Sequence, residues 1–236
     1  ADVDLRFEPG RVTVLLGPNG AGKSTVLKVA SGAWPATKGV ATLDGDNIRT
    51  MAPRALASRR SLVAQGASLN FPFTVAEEVM LGATVPGFGL ESNPAIAVGA
   101  LAAVGLTGFE ARSYLELSGG ERQRVDEPTA SLDPAHQTHV MALCRSLADS
   151  GLTVVLVLHD LNLAAAWADV LVVLAKGRVR AVGSPRDVLT DDLLSSVYDW
   201  SARVNVPPRE GDVFVLPHHA RDAAGTGGLG LAARIG

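Results

Sequence analysis

The sequence predicts an α/β fold in which a mostly parallel sheet is flanked by helices, and two observations carry this prediction. Three apolar runs lack the polar alternation of half-exposed strands and are typical of strands covered on both faces; they are residues 11–17, 153–158 and 170–175. Segments with helical spacing alternate with these runs, at residues 23–30, 135–148 and 161–168. Because alternating strands and helices are joined by crossovers, this order favours parallel pairing.

The composition limits the class of protein. A chain of 236 residues is compatible with one large domain, and with 47% hydrophobic and 19% charged residues it is too apolar for a disordered protein and too charged to consist mainly of membrane spans. The formal net charge of −3 argues against a dedicated nucleic-acid binder. The single cysteine, Cys144, cannot form an internal disulfide, and no signal-like segment opens the sequence, so we expect a reducing, cytoplasmic location.

Two further layers are predicted within this single domain. Thr74 precedes a helical run at 75–81 and Pro94 begins another at 95–104, so residues 67–125 are interpreted as a helical insertion between core segments 1–66 and 126–200. Residues 39–48, with the turn Asp44-Gly45, and residues 177–183 are predicted to form a small antiparallel layer. The glycine- and alanine-rich residues 218–236 are expected to form a loose tail.

A phosphate-binding loop is predicted where the first strand meets the first helix. Residues 17–25 read GPNGAGKST and match the pattern GxxxxGK[ST] in the strand–loop–helix context that the pattern requires. The glycines permit positive φ and let backbone N–H groups converge on an anion at a helix N-terminus. Lys23 is expected to reach the β- and γ-phosphates and Ser24 to offer a hydroxyl to Mg²⁺. The predicted phosphate contacts are Gly17, Pro18, Asn19, Gly20, Ala21, Gly22, Lys23, Ser24 and Thr25.

A second anion-binding turn follows about a hundred residues later. Residues 117–121 read LSGGE, in which Ser118 is placed to cap a helix and Glu121, three residues on, to complete a capping box. With the phosphate loop upstream, this motif resembles the signature of the ATP-binding cassette family of transport ATPases. The resemblance implies the fold of a P-loop NTPase, ATP and Mg²⁺ as cofactors, and a head-to-tail homodimer. Each ATP would lie between the phosphate loop of one copy and Ser118, Gly119 and Gly120 of the other.

Other residues match the family in order along the chain. Asp126 and Glu127, in DEPTASLD, resemble the pair that holds Mg²⁺ through water and polarises the attacking water. His159, at the end of an apolar run, matches the histidine that contacts the γ-phosphate, so Lys23, Glu127 and His159 are the implied catalytic residues. Gln65, after a strand predicted at 61–64, matches the glutamine that senses the nucleotide, and Ser24, Gln65 and Asp126 are the implied Mg²⁺ ligands.

The sequence departs from the family pattern between Val125 and Asp126. These residues are adjacent, although a signature helix and then a buried strand would need roughly 15–20 further residues before the acidic pair. The charged run at 120–125 cannot form that strand, because its charges would lie in the sheet core. Either residues of the natural chain are omitted here, which we favour, or the deletion is real and hydrolysis fails. The family's adenine-stacking aromatic is also not assigned, since Phe7 is a weak substitute.

The type of transporter follows from resemblance alone. Residues 68–82 and 159–164 look most like ATPase subunits of importers for metal chelates, with haem favoured and ferric siderophores or cobalamin as alternatives. This implies a peripheral subunit at the cytoplasmic face of the inner membrane, bound to a polytopic permease that works with a substrate-binding protein, and no nucleic acid. The rival is a soluble cassette ATPase acting on DNA or ribosomes; such proteins usually carry two cassettes or a coiled coil, and this chain shows neither.

Overall fold

The computed structural model describes residues 3–62, 73–83, 94–103, 105–118, 121 and 134–205. Its main sheet consists of β1 (Val12–Leu16), β4 (Val154–Val157), β5 (Val170–Ala175) and β6 (Arg178–Gly183). Their order in the sheet is β4-β1-β5-β6, which places β1 in the interior. β1 pairs in parallel with both β4 and β5, which confirms the parallel arrangement predicted from the alternating pattern.

One strand is placed differently from the prediction. β6 was expected in a small antiparallel layer with residues 39–48, but it pairs antiparallel with β5 at the edge of the main sheet. The reason is the two-residue turn Lys176-Gly177, in which both residues have positive φ, a geometry that folds consecutive strands into a tight hairpin. Within the described residues, the separate antiparallel pair consists of β2 (Thr42–Leu43) and β3 (Asp46–Asn47), around Asp44-Gly45 as predicted.

Several helices pack against the sheet as expected, while two helices of the region between residues 67 and 125 form a separate cluster. The first spans Lys23–Ala30, the predicted bounds, and the others agree with the predicted segments within two residues where a segment was predicted. They are α1 (Lys23–Ala30), α2 (Pro53–Ala57), α3 (Val75–Ala83), α4 (Pro94–Ala103), α5 (Pro134–Asp149), α6 (Leu161–Trp167), α7 (Pro185–Val188) and α8 (Asp191–Tyr198). Short 3₁₀ helices occur at Ile48–Thr50 and Tyr114–Glu116. Among the described residues, no helix is both long and apolar enough to span a membrane.

Apolar clusters cover both faces of the sheet, as the continuous valine and leucine runs predict. On one face Val14 and Leu16 of β1 pack with Val173 of β5 and with residues of α5 and α6. On the other face Leu15 packs with Leu174 and with Ala21 of the phosphate loop. The loop is therefore anchored directly in the core. Phe7 packs, half-buried, against this second cluster.

β4 is less buried than its sequence predicts. All four of its residues are half-buried, whereas every residue of β1 is buried. The difference arises because β4 pairs only with β1 and forms one edge of the sheet within the described part of the chain. The strand predicted at 61–64 is not formed at Ser61 and Leu62, and its remaining residues lie outside the described ones.

A separate apolar cluster occupies the region predicted to be helical. Val75 of α3 and Leu101 of α4 pack with Leu106, Tyr114 and Leu117, all nearly inaccessible to solvent. The two predicted helix starts are confirmed at Thr74 and Pro94. The division of the chain into core and helical insertion remains a prediction, as does the tail, which lies outside the described residues.

Candidate nucleotide-binding site

The candidate site lies at the carboxyl edge of the parallel strands. Gly17 directly follows β1, whose Leu16 pairs with Val173 and whose Leu15 pairs with Val157. Continuing these registers places Gly17 beside Leu174 of β5 and opposite His159, two residues beyond β4. The topology therefore brings the phosphate loop and His159, which are far apart in sequence, to the same edge of the sheet.

The phosphate loop has the backbone conformation that its glycines were predicted to supply. Gly20 and Gly22 have φ of 77° and 101°, a region that other residues rarely adopt. Gly17 is restricted by space as well, since a Cβ there would lie 2.1 Å from the Leu174 carbonyl oxygen. Gly22 forms the N-cap of α1 without a side-chain hydrogen bond, so the first amides of the helix are left for a ligand.

Lys23 is the cation at the centre of the loop. Its side chain is only 6% exposed, and its ammonium donates to the carbonyl oxygens of Gly17 at 2.6 Å and Pro18 at 2.9 Å. Burial lowers the pKa of Lys23 from its ordinary value. An ammonium has three N–H donors, so two hold the loop and the third is left for an anion in the cradle.

The other predicted phosphate contacts differ in exposure. Ala21 is buried in the core, Gly17 is buried and Pro18 is half-buried, whereas Asn19, Gly20, Ser24 and Thr25 face solvent. This gradient fits a cradle with a fixed floor and an open mouth. The exposed hydroxyl of Ser24, one residue after the buried cation, is a hard oxygen of the kind that Mg²⁺ accepts, so the described part of the site fits a magnesium nucleotide.

His159 lies between a buried residue and a helix cap. Leu158 is 6% exposed and its amide donates to the Leu15 carbonyl at 3.4 Å, while Asp160 caps α6 by accepting from the amides of Asn162 and Leu163. The His159 side chain itself is exposed. Its backbone is thus fixed on both sides, and its ring faces solvent at the carboxyl edge.

The second predicted anion-binding turn, at residues 117–121 and called the signature turn below, has the capping box predicted from its sequence. The Ser118 amide donates to Glu121 Oε2 at 2.7 Å, and the Glu121 amide donates to Ser118 Oγ at 3.3 Å. Arg112 donates to the other Glu121 oxygen at 3.1 Å. Hydrogen bonds from Ser118, first from its side chain and then from its backbone, lower the pKa of Glu121, and Arg112 adds to the effect.

Five predicted site residues lie outside the described ones: Gln65, Gly119, Gly120, Asp126 and Glu127. Their roles remain predictions from resemblance. The structure also shows two residues that support the phosphate loop and were not predicted from the sequence. Leu174 packs against Gly17, and the Gly177 amide donates to the Ala21 carbonyl at 3.1 Å. A turn-forming Lys-Gly pair directly after the third parallel strand was the available signal for the second support.

Comparison with known proteins decides the family. The profile of the family described as "ABC transporter" matches residues 1–130, more than half of the chain. The chain belongs to the ABC transporter family. It is the ATP-binding, ATP-hydrolysing type of subunit in that family, which agrees with the resemblance drawn from the two anion-binding turns.

The most similar relatives share one description. The hemin import ATP-binding protein HmuV of Rhizobium meliloti (strain 1021) is 41% identical over 241 residues, with 92% of each chain covered. The protein of the same description from Streptomyces coelicolor is 42% identical over 235 residues, covering 92% of this chain and 84% of the relative.

Solved structures agree on the fold. An ATP-binding subunit of an ABC transporter superimposes with a TM-score of 0.71 at 24% identity over 79% of this chain and 84% of its own. A putative metal-chelate type ABC transporter in an inward-facing conformation gives a TM-score of 0.60 at 26% identity over 84% and 80%. The P-loop NTPase fold predicted from the sequence is confirmed.

The alignments are longer than the part of this chain that they cover. For the Rhizobium relative, 92% of 236 residues is about 217, so about 24 of the 241 aligned positions carry no residue of this chain. For the relative from Jannaschia sp. (strain CCS1), 99% of 236 is about 234, which leaves about 23 of 257 positions. These two relatives therefore contain about two dozen aligned residues that this chain lacks, and the same arithmetic gives about 18 for the Streptomyces relative.

Proposed function

We propose that this chain is the ATP-hydrolysing subunit of a membrane importer for hemin or a related iron chelate. The nucleotide part of the proposal rests on one observation, the buried Lys23 ammonium held at the floor of a glycine cradle between β1 and α1. The cargo is supported by the relatives, which are described as hemin import proteins at about 40% identity over most of this chain.

The phosphate loop would hold the triphosphate. The backbone N–H groups of Gly20, Gly22 and Lys23 lie near the N-terminus of α1, where the helix dipole also favours an anion, while the Ala21 amide donates to the Pro18 carbonyl at 3.2 Å. Lys23 would offer its remaining N–H to the β- and γ-phosphates while it keeps the Gly17 carbonyl. Bound Mg²⁺ would neutralise charge on the β- and γ-phosphate oxygens, with Ser24, Gln65 and Asp126 as its proposed ligands.

Three residues would complete the reaction. Glu127 would orient the water that attacks the γ-phosphate, and His159, at the same sheet edge as the phosphate loop, would hold the γ-phosphate. Ser118 of a second copy would donate to the nucleotide across a head-to-tail homodimer, together with Gly119 and Gly120. The exposure of Ser118 in this chain is compatible with that contact.

We infer that the residues absent from this chain belong between Val125 and Asp126. This chain lacks about 24, 23 and 18 aligned positions in three of the alignments, near the roughly 15–20 residues needed to end a signature helix and add a strand. The half-buried edge strand β4 is where an additional parallel strand could pair. Peptide mapping of the natural protein tests this directly: a peptide with further residues between Val125 and Asp126 supports an omitted segment, and a peptide in which the two are joined establishes a true deletion.

Glu127→Gln tests the proposed chemistry. We expect it to abolish ATP hydrolysis while ATP-dependent dimers persist, because the amide keeps the shape of the carboxylate but cannot polarise water in the same way. Hydrolysis is measured by phosphate release and dimerisation by size-exclusion chromatography with ATP. Unchanged turnover would remove Glu127 from its proposed role, and a chain with a true deletion would show no turnover in either form.

The cargo and the class are tested separately. Uptake of hemin, a ferric siderophore and cobalamin is compared in vesicles that carry the cognate permease. ATP-dependent uptake of hemin is expected to be the greatest of the three. We place the subunit at the cytoplasmic face of the membrane, with a substrate-binding protein on the opposite side. Co-purification with a polytopic membrane protein supports transport, whereas association with ribosomes or DNA would favour the non-transport class.

A further inference from the structure

The turn between β5 and β6 lies against the phosphate loop. The Gly177 amide donates to the Ala21 carbonyl oxygen at 3.1 Å, and a Cβ added to Gly22 would lie 3.7 Å from Gly177 Cα. The last residues of β5 contact the loop as well, through the Leu174 carbonyl that closes on Gly17. One hairpin thus touches both ends of the loop.

The hydrogen bond from Gly177 fixes the orientation of a peptide that a phosphate would need. The Ala21 carbonyl and the Gly22 N–H belong to one planar trans peptide, so they point in opposite directions. Holding the carbonyl toward the hairpin therefore turns the Gly22 N–H away from it, toward the open side of the loop. Ala21 is itself buried, which limits any other rotation of this peptide.

We propose that the β5–β6 turn is a positioning element for the nucleotide, with Gly177 as the residue that aligns the Gly22 amide for a phosphate oxygen. The proposal rests on the function proposed for the phosphate loop. Gly177 would act through the loop backbone, by way of its hydrogen bond to Ala21. Its φ of 72° explains why a glycine suits this position.

The chain offers a matched control in its other two-residue hairpin. The Asp44-Gly45 turn has φ of 51° and 89°, close to the 50° and 72° of Lys176-Gly177. An added Cβ at Gly45 would meet nothing within 4 Å. Gly45→Ala and Gly177→Ala therefore place an L side chain in a similar disfavoured backbone conformation, but only the second change lies beside the phosphate loop.

The first test measures ADP affinity by calorimetry for the wild type and both variants. An alanine at φ of 72° is expected to displace the turn and misalign the Gly22 amide, which should raise the Kd of Gly177→Ala by about 5- to 10-fold. The Kd of Gly45→Ala should rise by less than about twofold. Equal Kd values for the two variants overturn the proposal. A wild-type chain that binds no ADP refutes the proposed nucleotide function itself, which is a distinguishable result.

The second test uses the wild type alone and so does not depend on either variant folding. Amide hydrogen exchange is followed at Gly177 and Gly45 with and without ADP. We expect ADP to slow exchange at Gly177 by about tenfold, because occupancy of the loop stabilises the Ala21 carbonyl that accepts from it, and to leave Gly45 unchanged. Exchange at Gly177 that does not respond to bound ADP overturns the proposal.

Discussion

The phosphate loop and the signature turn are both anion-binding turns, but different interactions hold them in place. The phosphate loop is held by its own Lys23, which bonds two loop carbonyls, and by tertiary contacts, since Leu174 closes on Gly17 and Gly177 bonds Ala21. The hydrogen bonds that hold Ser118 come from Glu121 three residues away, and Arg112 joins the same short segment. One turn is built into the core of the sheet, whereas the other is anchored by Leu117 in the helical cluster and has its polar side held by local hydrogen bonds.

This difference corresponds to the way each turn would be used. A loop that binds the phosphates within its own subunit benefits from a rigid floor, because its amides must converge before the ligand arrives. A turn that completes a site on a second copy must stay exposed, and a local capping box fixes its shape without burying it. The contrast therefore supports assigning the two turns to opposite sides of one shared nucleotide.

Removing the buried cation is expected to have the largest effect on the phosphate loop. Lys23→Ala removes a charge-assisted contact to the phosphates and also releases two loop carbonyls, so we expect ATP affinity to fall by on the order of 100-fold. Isothermal calorimetry measures the affinity.

The matched control is Lys28→Ala on the same helix. The Lys28 ammonium lies over the Trp34 ring, 4.5 Å from its centroid. Lys28→Ala is therefore expected to leave ATP affinity unchanged. If Lys23→Ala bound ATP within threefold of the wild type, the loop would not be the phosphate site.

A substitution in the signature turn is expected to weaken the ATP-dependent dimer and to leave nucleotide binding by the single subunit unchanged. Ser118→Ala leaves the phosphate loop intact, so ADP affinity should stay unchanged, while the dissociation constant of the ATP-dependent dimer rises about tenfold through loss of one hydrogen bond. Analytical ultracentrifugation with and without ATP measures the dimer.

A second capping box provides the control for lost stability. Thr74 and Glu77 repeat the geometry, since the Thr74 amide donates to Glu77 at 2.7 Å and the Glu77 amide returns to Thr74 Oγ at 3.2 Å. Both Ser118→Ala and Thr74→Ala should lower Tm by about 2–4 °C through loss of the cap. A dimer weakened equally by both variants would mean that Ser118 has only a capping role.

The two turns also differ in how far the sequence could predict them. The capping box at Ser118 was predicted in full because its partners lie within three residues, and the loop conformation followed from the glycines. The supports at Leu174 and Gly177 could not be predicted, because they depend on how a distant hairpin packs onto the loop. The same limit explains why β6 was assigned to the wrong layer: its half-exposed pattern fits the edge of either sheet.

The smallest expected effect is an acid sensitivity of the signature turn. The pKa of Glu121 in the folded chain lies below its ordinary value of 4.5, because the Ser118 side chain and backbone donate to the Glu121 carboxylate. The ionised group therefore contributes stability above about pH 4.5, and this contribution is lost as the pH falls through the lowered pKa. In urea unfolding, Glu121→Gln should be less stable than the wild type at pH 7, and the difference should vanish at strongly acidic pH.

The pKa of Glu77 is lowered in the same direction by Thr74, so Glu77→Gln should show the same pH dependence. The Glu121 variant should also lose part of the effect in high salt, since Arg112 pairs with Glu121 at 3.1 Å across exposed surface. A stability difference for Glu121→Gln that is constant with pH would contradict this account of how the turn is held.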